Sequence, residues 1–542
     1  MSEDIKYLHQ SLAQSVWDHG VETIFGLAGD ANLFMAHHFV SGCGGTMVTA
    51  AHEGGTVLMA IAFTQVTGKV GVATVTQGPG LTNCVTALRE GVMARRPMIL
   101  ICGDTPVTAA FHPQNIDQRE VVKSTGAGFE QIQSPATAAR EMANAFFRAR
   151  KERRPIVVNV PADFMWAEVE HQTTVFPSLE APTLIPEGPL HEEAIGMIAS
   201  ARRPLILAGA GAISARDNLI ALAERLQAPL ATTLKGTGLF AGHPNNIGYF
   251  GTLSTAEAYE VIASADCIVA FGAWLHFFTT DKGKLVNGKR VIQVNTDPAD
   301  IGRFYQPDVA LVADAAKTAD NILYWLNEAE IEPSGFANEL PDSDLSTYPA
   351  GDPANSAEGF INFEYALDRL NDALPENRIM MTDGGRYITE VWCRVSVPDP
   401  KSFHMTDNFA AIGQGMQQAI GAAHGDPSRP VVLFIGDGGF MMGGITEFNT
   451  AVRTNRDLIV IVCNDTAYGA EHIQMRDRNL DPSLTQFDWP SFAAIAVSLG
   501  GEGVEVASPD DLEVAIEALK ARKGPILVEL KLDPDNVPRM RM

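Results

Sequence analysis

Residues 431–474 read VVLFIGDGGFMMGGITEFNTAVRTNRDLIVIVCNDTAYGAEHIQ, and the fold is decided by how this stretch alternates. The apolar run Val431 to Ile435 stops at Gly436-Asp437-Gly438-Gly439. Missing Cβ atoms there permit a tight turn and let backbone N–H groups approach a phosphate closely. Behind the glycines, Met441, Ile445, Phe448 and Val452 recur at helical spacing, which predicts a helix whose positive N-terminal end points back at them. A second apolar run, Leu458 to Cys463, ends at Asn464-Asp465-Thr466. Two parallel strands joined by a helix deliver Asp437 and Asn464 to the same carboxyl edge of a sheet, where α/β proteins bind ligands. A carboxylate from Asp437, an amide from Asn464 and a nearby backbone carbonyl form a hard-oxygen set suited to Mg²⁺ carrying a diphosphate.

Working outward, 542 residues exceed what one core supports, and three domains are expected. An apolar fraction of 46% and a charged fraction of 19% describe a globular chain with ample core material. A formal charge of −25 argues against nucleic acid or an anionic membrane as partner, because either needs a concentrated basic surface. The six cysteines (Cys43, Cys84, Cys102, Cys267, Cys393, Cys463) include no CxxC pair and read as reduced core residues. The N-terminus reads as no signal peptide, and no apolar run reaches the roughly 20 residues of a spanning helix. A cytoplasmic protein is expected.

Residues 5 to 16 place Ile5, Leu8, Leu12 and Val16 on one predicted helical face, and Gly20 to Gly26 follow as turn and strand. Ala51-His52-Glu53-Gly54-Gly55 opens a helix of small residues, and Val70 to Thr76 is a strand ending in Gln77-Gly78-Pro79-Gly80-Leu81-Thr82-Asn83. Strands at Pro97 to Cys102 and Pro155 to Val160 continue a βα alternation, hence a parallel sheet. The Pro-rich, acidic stretch Thr173 to Pro189 reads as a linker, and Glu328 to Gly359 as a second. Between them strands at Pro204 to Ala208, Asp266 to Gly272 and Arg290 to Asn295 form a central unit; after them comes a third βα series. The fold class is α/β, with three doubly wound parallel-sheet domains over residues 1–172, 190–327 and 360–542.

The Gly-Asp-Gly turn followed 27 residues later by an Asn at the next strand end resembles the diphosphate and Mg²⁺ motif of thiamin diphosphate enzymes. Ala51-His52-Glu53 is similar to that family's HE dipeptide, and Thr76 to Asn83 to its TxGPGxTN turn. With the three domains in matching order (pyrimidine-binding, central, diphosphate-binding), the resemblance covers essentially the whole chain. It lies nearest the acetolactate synthase, 2-oxo acid decarboxylase and benzaldehyde lyase group. The resemblance implies thiamin diphosphate and Mg²⁺ as cofactors. It gives Glu53 the carboxylate that drives tautomerisation of the cofactor pyrimidine, Pro79 and Asn83 a place beside it, and Ile412 the apolar prop of the bent cofactor. Gly436, Gly438 and Gly439 supply donors to the diphosphate; Asp437, Asn464 and Thr466 hold the metal; Gly384 and Gly385 lie in a second phosphate-side loop. A homodimer or homotetramer with active sites between subunits is also implied.

On the substrate side the motifs divide. Gly29-Asp30-Ala31-Asn32-Leu33 resembles the GDFN turn of pyruvate decarboxylases, whose Asp moves protons, whereas their adjacent His pair is absent. His112 and Gln114 lie in a loop nearer the FQxxDQ-like loop of acetolactate synthases; they are acceptor-side groups or a surface loop. Where flavin-containing synthases have an arginine, this chain reads Gly272-Ala273-Trp274-Leu275-His276-Phe277-Phe278, and Gly209 to Ser214 lacks the third glycine of a dinucleotide fingerprint, so no FAD is expected. The aromatic run lines the substrate entrance or is core. Tyr468-Gly469-Ala470-Glu471 resembles the WGAE segment of sulfoacetaldehyde acetyltransferases. The substrate expected is a small 2-oxo acid, aldehyde or acyloin. The expected activity is an acetolactate synthase-like lyase or carboligase, with a 2-oxo acid decarboxylase as second reading; an acetyltransferase or an inactive cofactor-binding subunit comes last.

Overall fold

The computed structural model describes residues 5–109, 111–177 and 182–538. The first domain carries strands β1 (Thr23–Gly26), β2 (Thr46–Thr49), β3 (Gly71–Val75), β4 (Met98–Asp104), β5 (Gly128–Gln131) and β6 (Pro155–Pro161). The second has β7 (Pro204–Ala208), β8 (Leu230–Thr232), β9 (Asn246–Tyr249), β10 (Cys267–Phe271), β11 (Arg290–Asn295) and β12 (Val309–Val312). The third has β13 (Ile379–Thr382), β14 (Phe403–Met405), β15 (Val431–Gly436), β16 (Leu458–Asn464), β17 (Glu502–Val506) and β18 (Ile526–Lys531). Each set forms one six-stranded sheet. Every pairing in them is parallel, as continuous apolar strands buried on both faces require.

The orders are β2-β1-β3-β4-β6-β5 and β14-β13-β15-β16-β18-β17 in the end domains, the same topology twice. The middle sheet runs β9-β8-β7-β10-β11-β12, the doubly wound order of dinucleotide-binding sheets. Its glycines serve a different purpose here: a Cβ on Gly209 would lie 2.3 Å from the Gly272 carbonyl oxygen, and one on Gly211 2.9 Å from Gly272 Cα. Two loops pack against each other at that edge.

The end domains share a core. Helix α1 (Glu53–Thr67) of the first packs along α3 (Gly415–Gly425) of the third. A single cluster of buried residues runs from Val57, Ala60 and Ile61 through Met416, Ala419 and Ile420 to Leu433 and Val460. Small residues on both helices allow the approach, since a Cβ on Gly421 would lie 2.1 Å from the Met59 carbonyl oxygen. Helix α2 (Val85–Met93) lies beside α1 and follows the turn Thr76 to Asn83.

Three expectations change. Residues 5–7 are an edge strand paired antiparallel with Glu168–Glu170, and the helix starts at Leu8. Ile5 is thereby exposed, whereas Leu8, Leu12 and Val16 are buried. The segment 328–359 is packed rather than a free tether, because Phe336 and Leu345 enter the core of the second domain. The stretch Asp437–Thr454 is helical from Asp437 onward, with a π-helical turn at Phe440–Gly444 before α4 (Ile445–Thr454). The glycines are therefore the first helical turn rather than a loop ahead of it.

Candidate cofactor site

None of Gly436, Gly438 and Gly439 has a positive φ. Their need for glycine is spatial: a Cβ on Gly438 would sit 2.5 Å from the Tyr468 ring, and one on Gly439 2.8 Å from Asp383 Oδ2. The bare helix start so formed leaves its first N–H groups to a ligand. Asp437 heads it, 3% exposed, with Oδ2 accepting from Trp489 Nε1 at 2.9 Å.

Asp465 is buried beside it, and its nearest cation, Arg386, lies 3.9 Å away. Burial first, and then the charge of Asp465, hold the Asp437 carboxyl above the usual range; burial likewise raises Asp465, opposed by Arg386. Two carboxylates held together in a dry site leave negative charge that a divalent cation would neutralise. Asn464 is fully buried; its Nδ2 donates to Glu529 and its Oδ1 accepts from the Thr466 N–H. The Thr466 carbonyl accepts from Phe487, and Thr466 has a φ of +53°, unusual for a β-branched residue and typical of strained functional turns. Each of these oxygens keeps a lone pair for a metal. Among the described residues no group of three or more His, Cys, Asp or Glu could hold a metal. A cation here would therefore take a mixed carboxylate, amide and carbonyl set, which fits Mg²⁺.

Gly384, Gly385, Ile412 and Gly436 to Gly439 line one cleft of about 1640 Å³ together with Asp407, Asp465, Met442 and Tyr468. It extends to Ala273, Trp274, His276 and Phe278, so the aromatic run lines this cleft; Leu275 within it is core. Asp383, fully buried behind the cleft, accepts from Gly384 and Gly413 N–H groups, and burial pushes its carboxyl up to about 7. Burial raises Asp407 to about 6.

The other predicted residues collect elsewhere. Asn83 Nδ2 donates to Glu53 Oε2 at 2.9 Å at the head of α1, whose cap His52 accepts from Gly54 N. Gln114 Oε1 accepts from Gln77, and a Cβ on Gly78 would strike the Gln114 carbonyl at 2.3 Å. His112 accepts from the Gln114 N–H, and the Asp30 turn abuts Thr76 through Gly29 and Ala31. So Asp30, Glu53, Pro79, Asn83, His112 and Gln114 share the carboxyl edge of the first sheet, and none of them lines the cleft. Gln65, twelve residues along α1 from Glu53, does line it, while the head of α1 packs on the third domain, where Ala51 and His52 N–H groups donate to Glu447.

Sequence reasoning missed Trp489, Asp383 and Asp407 as parts of this site. Trp489 follows no local motif, and its contact with Asp437 exists only through the packing of the 485–492 segment. Asp383 and Asp407 each lie at a strand end beside a turn that was noticed, which was the available signal.

Three parallel sheets, a helix start built for phosphate and a cation-seeking acid pair define an α/β enzyme that holds a diphosphate-bearing cofactor. Family models agree with that class and sharpen it. The N-terminal thiamine pyrophosphate binding domain matches residues 7–121, the thiamine pyrophosphate enzyme central domain 191–322, and the C-terminal binding domain 383–530. The chain belongs to the thiamine pyrophosphate enzymes. It is 30% identical over 550 residues to the acetolactate synthase large subunit of Parasynechococcus marenigrum, covering 96% of this chain and 86% of that one. It is 28% identical to "Probable 2-ketoarginine decarboxylase AruI" of Pseudomonas aeruginosa (96% and 93% covered) and 27% identical to a sulfoacetaldehyde acetyltransferase of Castellaniella defragrans (94% and 89%). No helix among the described residues is long and apolar enough to cross a membrane.

Proposed function

We propose that this chain is a thiamin diphosphate- and Mg²⁺-dependent C–C lyase or carboligase of acetolactate synthase type, acting on 2-oxo acids or acyloins in the cytoplasm. The buried Asp437 and Asp465 pair at the glycine helix start carries the reading. Bound thiamin diphosphate supplies the electron sink for making or breaking a bond next to a carbonyl.

This chain's residues hold and polarise it. Backbone N–H groups of Gly436, Gly438 and Gly439 would bind the diphosphate, and Asp437, Asn464 and the Thr466 carbonyl would hold Mg²⁺. Ile412 props the cofactor, flanked by Gly384 and Gly385. Glu53, oriented by Asn83, would hold a proton at the pyrimidine N1′, with Pro79 in the same turn as Asn83 contributing to cofactor binding. Asp30, His112 and Gln114 sit on the same edge as Glu53 and would meet the acceptor.

Glu53 does not line the cleft of its own chain, and the working site forms between two copies, in a homodimer or homotetramer. Domain limits of 1–172, 190–327 and 360–542 accompany this assignment.

A decarboxylase is the second reading, favoured by the relative named for 2-ketoarginine. The test is product analysis by mass spectrometry after incubation with 2-oxo acids, sulfoacetaldehyde, acyloins and 1,2-diketones, with and without inorganic phosphate. Coupled or cleaved C–C products support the first reading, acetyl phosphate supports acetyl transfer, and aldehyde alone supports the second.

A further inference from the structure

Glu90 lies on α2 of the first domain, fully buried, and no step so far uses it. Its carboxylate reaches into the third domain. Oε1 accepts from the Asn408 N–H at 3.2 Å and from Asn408 Nδ2 at 2.7 Å, and Oε2 accepts from the Phe409 N–H at 2.7 Å. Asn408 Oδ1 in turn accepts from Lys235 Nζ of the second domain at 2.9 Å, so all three domains meet at this one side chain. Arg89, the neighbour of Glu90, stacks over the Phe409 ring at 5.5 Å.

The segment so gripped is short and conspicuous. It runs Asp407 to Gly413, carries Ala410 at a left-handed φ of +58°, and presents Ile412 to the cleft. Its far end is pinned by the Gly413 N–H donating to Asp383 at 2.7 Å. Two buried carboxylates, one at each end, thus fix a strained segment between them. A carboxyl group matches three converging N–H donors, whereas an amide would turn one of its own donors against them.

We infer that Glu90 is a positioning residue: its three hydrogen bonds to Asn408 and Phe409 set the height of Ile412 and hence the bend of the cofactor. The inference rests on the role of Ile412 given above. A carboxylate from the first domain of a chain thereby shapes the diphosphate half of the same chain, while Glu53, from the same domain, does not line that cleft.

The test compares Glu90→Gln and Asn408→Ala with Ile412→Ala. Amide hydrogen exchange of residues 405–413 in cofactor-free protein should quicken about ten-fold or more in the first two, the loss of a charge-assisted hydrogen bond. Exchange of the cofactor C2 proton at saturating thiamin diphosphate and Mg²⁺ should slow about ten-fold or more in all three, with partial recovery in Glu90→Asp. Wild-type loop exchange and wild-type C2 exchange in Glu90→Gln would overturn the inference. Should Glu90→Gln not fold, Asn408→Ala decides by the same two readouts. Wild-type C2 exchange in Ile412→Ala would instead overturn the reading of Ile412 itself.

Discussion

Asn83 Nδ2 donates to Glu53 Oε2 at 2.9 Å on the edge of the first sheet, and neither residue lines the cleft that holds Asp437. The hydrogen bond fixes the Glu53 carboxylate at the head of α1, where the turn that follows β3 meets it.

Replacing Glu53 by Gln should leave thiamin diphosphate affinity within about three-fold, because the diphosphate half is untouched. Exchange of the C2 proton, followed by NMR, should slow by about 10² to 10⁴, the usual worth of a positioned acid–base group. An unchanged rate would take Glu53 out of its proposed role.

Asp437→Asn should abolish the Mg²⁺ dependence of cofactor binding. Trp489→Phe, which removes the only side-chain hydrogen bond given to Asp437 among the described residues, should weaken Mg²⁺ affinity by about ten-fold, as losses behind a metal ligand do. Calorimetric titration with Mg²⁺ at fixed thiamin diphosphate reads both; identical isotherms for Trp489→Phe and wild type would show that this contact does not orient Asp437.

Gly421→Ala forces a Cβ to 2.1 Å from a backbone carbonyl, whereas Gly425→Ala meets only the Thr67 and Val66 side chains at 3.2 Å and beyond. The first should destabilise by about 1–3 kcal/mol and the second by clearly less, read as thermal midpoints. Equal midpoints would mean that the α1–α3 contact tolerates separation.

Stability should fall on acidification partly through His404. Burial, with Arg96 and Arg429 nearby, holds this ring down at about 3 against an ordinary value of 6.5. Gln65 is its hydrogen-bond partner. A base whose folded value lies below its unfolded one favours the neutral form in the fold. Its contribution is complete above 6.5 and is lost as pH drops from 6.5 towards 3, at up to about 1.4 kcal/mol per pH unit. His404→Gln should therefore flatten the decline of the melting temperature between pH 6.5 and 4; parallel curves would exclude it.

What could be read in advance follows from local chemistry. The strands Arg290 to Asn295 and Val431 to Ile435 were legible because buried parallel strands are continuous apolar runs, and the segments around Asp437 and Glu53 because each sits at a strand end. Ile5 misled because an apolar residue at helical spacing can equally serve an edge strand. The π turn at Phe440–Gly444 left no mark in the periodicity. Trp489 and Glu90 were invisible because their meaning lies in residues 52 and 318 positions away. Spacing within one element carries no trace of such contacts.

For a site built between two copies, with Glu53 from one and Asp437 from the other, complementation is the most direct measurement. Glu53→Gln and Asp437→Asn proteins, each inactive alone, are mixed, dissociated and reassociated. Half of the dimers then pair the two variants, and one site in each of those combines both intact halves. Activity should return to about a quarter of wild type. No recovery, with mixed dimers shown to form, would contradict a site built between two copies of this chain.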